Sequence, residues 1–113
     1  MARLNGFTKK QIIEVYRKMA LSRKLDDKML VMLKQGKSFF HIGASGHEGA
    51  QLAAAGMIKP GEDWSFPYYR DGAYCLGLGM TAREQLLSFL AKAADPNSGG
   101  RQMPQHYGHK DLR

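Results

Sequence analysis

In the run Pro67-Tyr68-Tyr69-Arg70-Asp71 an arginine stands beside an acid, behind two aromatics and a proline that fixes the backbone. A guanidinium grips a phosphate through two parallel hydrogen bonds, and a neighbouring tyrosine hydroxyl adds a neutral donor. The same residues also suit an aromatic core corner in which Arg70 pairs with Asp71 or another acid, and local chemistry leaves both readings open. A second constellation runs from Ser38 to Glu48, where His41 and His47 flank a glycine-punctuated turn leading into a helix N-terminus. Unpaired N–H groups at such an end favour anions. His41 could act as a general acid or base, since free imidazole titrates near neutrality, but in an apolar run it equally suits a hydrogen-bonded structural role. Around His47-Glu48 the HxxxE or HxxH spacing of a zinc site is missing, so no metal is expected there. The third stretch, Gly99 to His109, is polar and glycine-rich, with Arg101, His106 and His109. It holds neither GxGxxG nor GxxxxGK[ST], so it is no nucleotide loop.

Helices must position these residues. Thr8-Lys9-Lys10-Gln11, Ser45-Gly46-His47-Glu48 and Thr81-Ala82-Arg83-Glu84 each fit a capping box, and each heads an apolar-periodic run. The first helix is expected from Lys9 to Gln35 with a left-handed stop at Gly36. Its inward face reads Ile12, Val15, Tyr16, Met19, Leu25, Met29, Met32 and Leu33. A second helix, from His47 to about Ile58, is rich in alanine and so can lie close to a neighbour. A short helix is expected over Gly72 to Leu78. Another spans Ala82 to Ala94, stopping before Asp95-Pro96 because the residue preceding proline resists the helical region. Residues 97–113 show no apolar periodicity and read as a flexible loop. Neither an internal repeat nor a domain linker is visible, so residues 1–113 read as one mainly α segment.

Composition narrows the class. Of 113 residues, 43% are hydrophobic and 24% charged, which fits a globular chain with a modest core. The net charge of +7 comes largely from lysines and arginines in the first third. That is the pattern of a solvated helical face, and no nucleic-acid motif accompanies it. A stand-alone basic module meeting an acidic protein or nucleic acid is the alternative this charge suggests. Cys75 is the lone cysteine, so no intrachain disulfide can form, and its apolar neighbours mark it as a small buried hydrophobe. No stretch approaches the roughly 20 apolar residues of a membrane span, and no apolar leader is seen. The expected location is the cytoplasm, or an organelle matrix had a transit peptide been removed.

Taken in order, three segments carry a resemblance: His41 through Gln51, Trp64-Ser65-Phe66-Pro67-Tyr68-Tyr69-Arg70-Asp71, and Asp95 through His106 with its Gly-Arg-Gln-Met-Pro-Gln-His run. Together they resemble the alpha subunit of the thiamine-diphosphate-dependent decarboxylating component of 2-oxoacid dehydrogenase complexes. The motifs look most like the branched-chain, 2-oxoisovalerate type, with the pyruvate type close behind. The resemblance implies that Tyr69 and Arg70 hold the cofactor diphosphate and that Phe40 lines the substrate pocket. His41 falls beside Phe40 at a position that varies in the family, and the Arg101–His109 stretch matches a loop near the active-site mouth. It further implies thiamine diphosphate and magnesium in the full enzyme, with a beta subunit or beta half and a lipoyl-bearing acyltransferase core as partners. The family's magnesium motif, its later catalytic histidine and the activating glutamate have no match in these 113 residues. The expectation is therefore the N-terminal helical part of a larger α/β thiamine-diphosphate-binding fold, without its central sheet. Such a piece should be inactive alone and bind no cofactor by itself.

Overall fold

The structure, a computed structural model, describes residues 3, 4 and 6–112. Four helices follow a short antiparallel ribbon. The ribbon pairs β1 (Arg3–Leu4) with β2 (Phe7–Thr8), placing Arg3 opposite Thr8 and Leu4 opposite Phe7. The helices are α1 (Lys9–Lys34), α2 (Glu48–Ala55), α3 (Gly72–Leu78) and α4 (Ala82–Phe89). The mainly α architecture expected from the sequence is the one observed.

Two of the three capping boxes form. Thr8 accepts from the Gln11 N–H while the Gln11 side chain reaches back, and Thr81 does the same with Glu84. The box expected at Ser45 does not form. Ser45 Oγ donates instead to Asp26 Oδ2 at 2.9 Å, and α2 begins after His47, whose side chain makes no cap. Glu48 turns back to the Gly46 N–H and pairs with Arg23 of α1 at 2.6 Å. A tertiary carboxylate has thus outcompeted the local N–H for the serine hydroxyl.

α1 stops as expected. Gly36 takes a φ of +70°, its N–H bonds to the Leu33 carbonyl, and the Lys37 N–H bonds to the Met32 carbonyl. α4 ends earlier than the periodicity predicts. Ala91 adopts the left-handed conformation at φ +49°, the Lys92 N–H bonds to the Leu87 carbonyl, and the last helical residue is Phe89. Gly100 lies against this turn so closely that a Cβ there would stand 2.4 Å from the Ala91 carbonyl oxygen. α2 also ends short of Ile58, at Ala55 with Gly56 as its cap.

The core gathers Leu25 and Met29 of α1, Leu76 of α3 and Phe89 of α4, with Met32, Leu33, Leu86 and Leu90 against it. The expected inward face of α1 holds only over its C-terminal half. Ile12, Val15 and Tyr16 remain exposed. The reason is length: α1 has 26 residues, while its three neighbours have 8, 7 and 8 and cannot cover it. α2 and α3 pack tightly on small residues; a Cβ on Gly77 would come 2.4 Å from the Ala55 Cβ. Cys75 is buried in this layer, and burial pushes its thiol well above the ordinary range, as suits an inert hydrophobe. Among the described residues no helix is long and apolar enough to cross a membrane.

Candidate functional site

Arg70 stands at the entrance to α3, and its backbone is fixed from α2. Gln51 donates from Nε2 to the Arg70 carbonyl (3.0 Å) and to Asp71 Oδ1 (3.3 Å), while its Oε1 accepts the Ala73 and Tyr74 N–H groups. Asp71, the residue at the N-cap, gives α3 no side-chain cap, so a glutamine twenty residues upstream satisfies the orphan donors of its first turn. Sequence reading missed Gln51, because nothing local distinguishes it from any other polar residue on a helix. Asp71 Oδ2 accepts the Tyr68 N–H at 2.8 Å, closing the turn that presents the tyrosine pair.

Both open readings of Arg70 can now be compared. Asp71 is occupied by Gln51 and the Tyr68 backbone, and among the described residues no carboxylate lies within ion-pair reach of the Arg70 guanidinium. Its Nε donates to the Tyr68 hydroxyl at 3.3 Å, its Nη1 reaches the Gly43 carbonyl at 3.5 Å, and its Cζ lies 5.9 Å from the Tyr69 ring centre. The cation is therefore held by neutral groups and an aromatic face. Arg23, by contrast, is neutralised by Glu48, whose carboxyl the arginine holds below the usual range.

An aromatic wall surrounds this cation. The Tyr68 and Tyr69 ring centres are 3.8 Å apart, Phe40 meets Tyr69 edge-on at 6.2 Å, and the His106 ring lies 6.3 Å from that of Tyr69. The neighbouring Tyr69 hydroxyl and then Arg70 lower the Tyr68 phenol below its ordinary value, while Tyr68 raises that of Tyr69. Phe40 and the Tyr69–Arg70 pair, which lie in two separate stretches of the sequence, thus stand side by side. A recess of about 380 Å³ bounded by Trp64, Phe66, Leu78, Met80, Tyr107 and Leu112 includes none of them.

His41 points elsewhere. Its side chain is fully buried, with Nδ1 3.1 Å from Gln105 Oε1 and its ring edge-on to Phe89. Nε2 stands 3.4 Å from Asp26 Oδ1, near enough for an ion pair but out of line for a hydrogen bond. Burial opposes ionisation of Asp26, yet His41 and Ser45 outweigh it and hold the carboxyl below the ordinary range. Gly43 lets this carboxylate approach the backbone, for a Cβ there would be 2.9 Å from Asp26 Oδ2. The carbonyl of the same residue is the one that Arg70 reaches.

The segment after α4 is arranged by polar anchors, which periodicity cannot register. Asp95 accepts the N–H groups of Asn97, Ser98 and Gly100. Burial works against its ionisation, but these donors prevail and lower its pKa. Gln105 is 3% exposed, and Tyr107 turns its hydroxyl inward.

A guanidinium without an acid in reach, beside two tyrosines on a helical scaffold, has the chemistry to take up an anion. Residues 16–113 match the family model described as the dehydrogenase E1 component. The chain is 46% identical over 108 residues to the 2-oxoisovalerate dehydrogenase subunit alpha of Bacillus subtilis (strain 168), covering 96% of this chain and 33% of that one. It is 31% identical over 100 residues to the mitochondrial 2-oxoisovalerate dehydrogenase subunit alpha 2 of Arabidopsis thaliana, covering 88% of this chain and 21% of that one. The pyruvate dehydrogenase E1 component subunit alpha of Staphylococcus aureus (strain Mu50 / ATCC 700699) is 30% identical over 80 residues, 71% of this chain and 21% of its own. This chain belongs to the dehydrogenase E1 component family. It spans a third or less of the length of these relatives.

Proposed function

We propose that the chain is the N-terminal part of the alpha subunit of a thiamine-diphosphate-dependent 2-oxoacid dehydrogenase acting on a branched-chain 2-oxoacid of the 2-oxoisovalerate type. The observation that carries the reading is Arg70, a cation without a carboxylate partner beside Tyr69 and facing the wall that includes Phe40. In this reading Arg70 and the Tyr69 hydroxyl grip the diphosphate, and Phe40 lines the side where the substrate sits. The cofactor, when bound, supplies the carbanion chemistry of decarboxylation, and the protein supplies orientation and electrostatics. The arrangement fits such a group: planar guanidinium, neutral phenol donors and an aromatic wall are a phosphate grip next to an apolar pocket.

The isolated chain has the grip and lacks the rest. Magnesium ligands, a beta subunit and the lipoyl-bearing acyltransferase core belong to the complete enzyme in this proposal. The preference for a branched-chain substrate over pyruvate is supported by the higher identity to the 2-oxoisovalerate relative, 46% against 30%. The test is a chimera in which this chain replaces the matching stretch of the Bacillus subtilis subunit, assayed with its partners on 2-oxoisovalerate and on pyruvate. Turnover of 2-oxoisovalerate above pyruvate is expected, with none from the chain alone. A chimera that turns over neither substrate although it folds, or a lone chain that binds thiamine diphosphate at micromolar concentration, would overturn the reading.

A further inference from the structure

The stretch Met103-Pro104-Gln105-His106 carries a histidine that no part of the reading above uses. We infer that His106 is a third gripping side chain of the Tyr69–Arg70 anion site, and that Gln105 and His41 are the residues that position it. The inference rests on the diphosphate reading and deepens it.

Tautomer chemistry comes first. His106 Nδ1 lies 3.0 Å from the Met103 carbonyl oxygen and 3.3 Å from that of Pro104. A carbonyl only accepts, so Nδ1 carries the proton and donates it. Nε2 then carries the lone pair, and among the described residues it meets no hydrogen-bond partner. The residue is exposed, its ring stands 6.3 Å from that of Tyr69, and Arg101 through His109 contain no acid. The titratable group that meets the ring is Tyr69, which itself contacts Tyr68 and Arg70. In this proposal an anion bound at Arg70 meets the protonated form of the ring, whose Nε2 donates to it.

The backbone is arranged to hold this ring in place. Gln105 takes a φ of +65°, a conformation that L side chains seldom adopt, and is nevertheless buried. Three tethers hold it there: its N–H donates to Ser88 Oγ (3.2 Å), its Oε1 meets His41 Nδ1 (3.1 Å) and its Nε2 approaches Met29 Sδ (3.6 Å). His41 is in turn fixed between Asp26 and Phe89. Strain at a residue next to a ligand-facing side chain persists only where surrounding contacts over-determine it. Here those contacts set the direction in which the next residue, His106, leaves the fold.

The test uses the 113-residue chain and sodium pyrophosphate at roughly 10 mM, far above the micromolar range in which the lone chain is expected not to bind. Metal is left out, and NMR is run at about pH 6, where an ordinary imidazole is mostly protonated. Pyrophosphate is expected to shift the His106 imidazole signals together with those of Tyr69 and Arg70. The exposed substitution His106→Ala should weaken pyrophosphate affinity about threefold, the scale of one exposed charge contact. Gln105→Ala should weaken it comparably, and the double variant Gln105→Ala/His106→Ala no further, since both act through one ring. Shifts at Tyr69 and Arg70 with His106 unmoved, or unchanged affinity in His106→Ala, would overturn the role of His106 and leave the diphosphate reading standing. Additive losses in the double variant would overturn the positioning role. Absence of shifts at all three residues would remove the diphosphate reading and this inference together.

Discussion

Two polar regions lie on either side of Gly43 and treat their charges in opposite ways. On one side Asp26, the His41 side chain and Gln105 form a buried seam, and the carboxylate at its edge is met by the hydroxyl of the exposed Ser45 and by the imidazole. On the other, Arg70 sits at the surface with a phenol, a carbonyl and a ring around it and no acid in reach. Burying a charge is costly unless it is paired, so the Asp26 carboxylate takes its partners from within the fold. The Arg70 side is partly solvated and can wait for a ligand. A fold can hold a cation ready for an anion only where water covers it meanwhile, and this molecule separates the two demands by the thickness of one glycine.

The largest test of that contrast is Asp26→Ala. It leaves the buried imidazole without its carboxylate, while the exposed Ser45 hydroxyl turns to water, and urea unfolding should show a loss of about 1–3 kcal/mol, the cost of stranding one buried polar group. A loss under about 0.5 kcal/mol would mean that the seam is not structural. Acid should act in the same direction more gradually. The Asp26 carboxyl is depressed in the folded state, so its contribution is complete above the ordinary carboxylate pKa near 4 and is lost as pH falls through its lower folded value. Glu48, Glu84 and Asp95 are also depressed, so the informative quantity is the difference between the parent chain and Asp26→Ala across that window. That difference should shrink as acid is added, and a constant gap would count against an ionised Asp26. The smallest effect belongs to Arg70→Ala, which should change unfolding free energy by less than about 0.5 kcal/mol, as for surface groups without a packing role. Marked destabilisation would place Arg70 among the structural residues and erase the contrast.

Much of the scaffold was legible beforehand. The Thr8 and Thr81 caps and the Gly36 stop all rest on interactions within a few residues. The misreadings have one cause. Ser45 was drawn to Asp26 rather than to its own helix, α4 was stopped by Ala91 against Gly100, and the first half of α1 lacked neighbours to bury it. In each case a contact distant in sequence, or its absence, overrode a sound local signal.

The candidate site divides in the same way. The sequence by itself determined which residues have the chemistry, Phe40, His41, Tyr69 and Arg70, and through their order it pointed to the family. Only the tertiary structure decided which of them stand together. It showed that Asp71 is taken by Gln51 while Arg70 keeps no acid, that His41 faces the interior, and that a buried Gln105 carries His106 to the Tyr69 ring. Residue type fixes what a side chain can donate or accept. Whether that capacity is consumed inside the fold or left for a ligand depends on partners that only the folded chain brings within 3–4 Å.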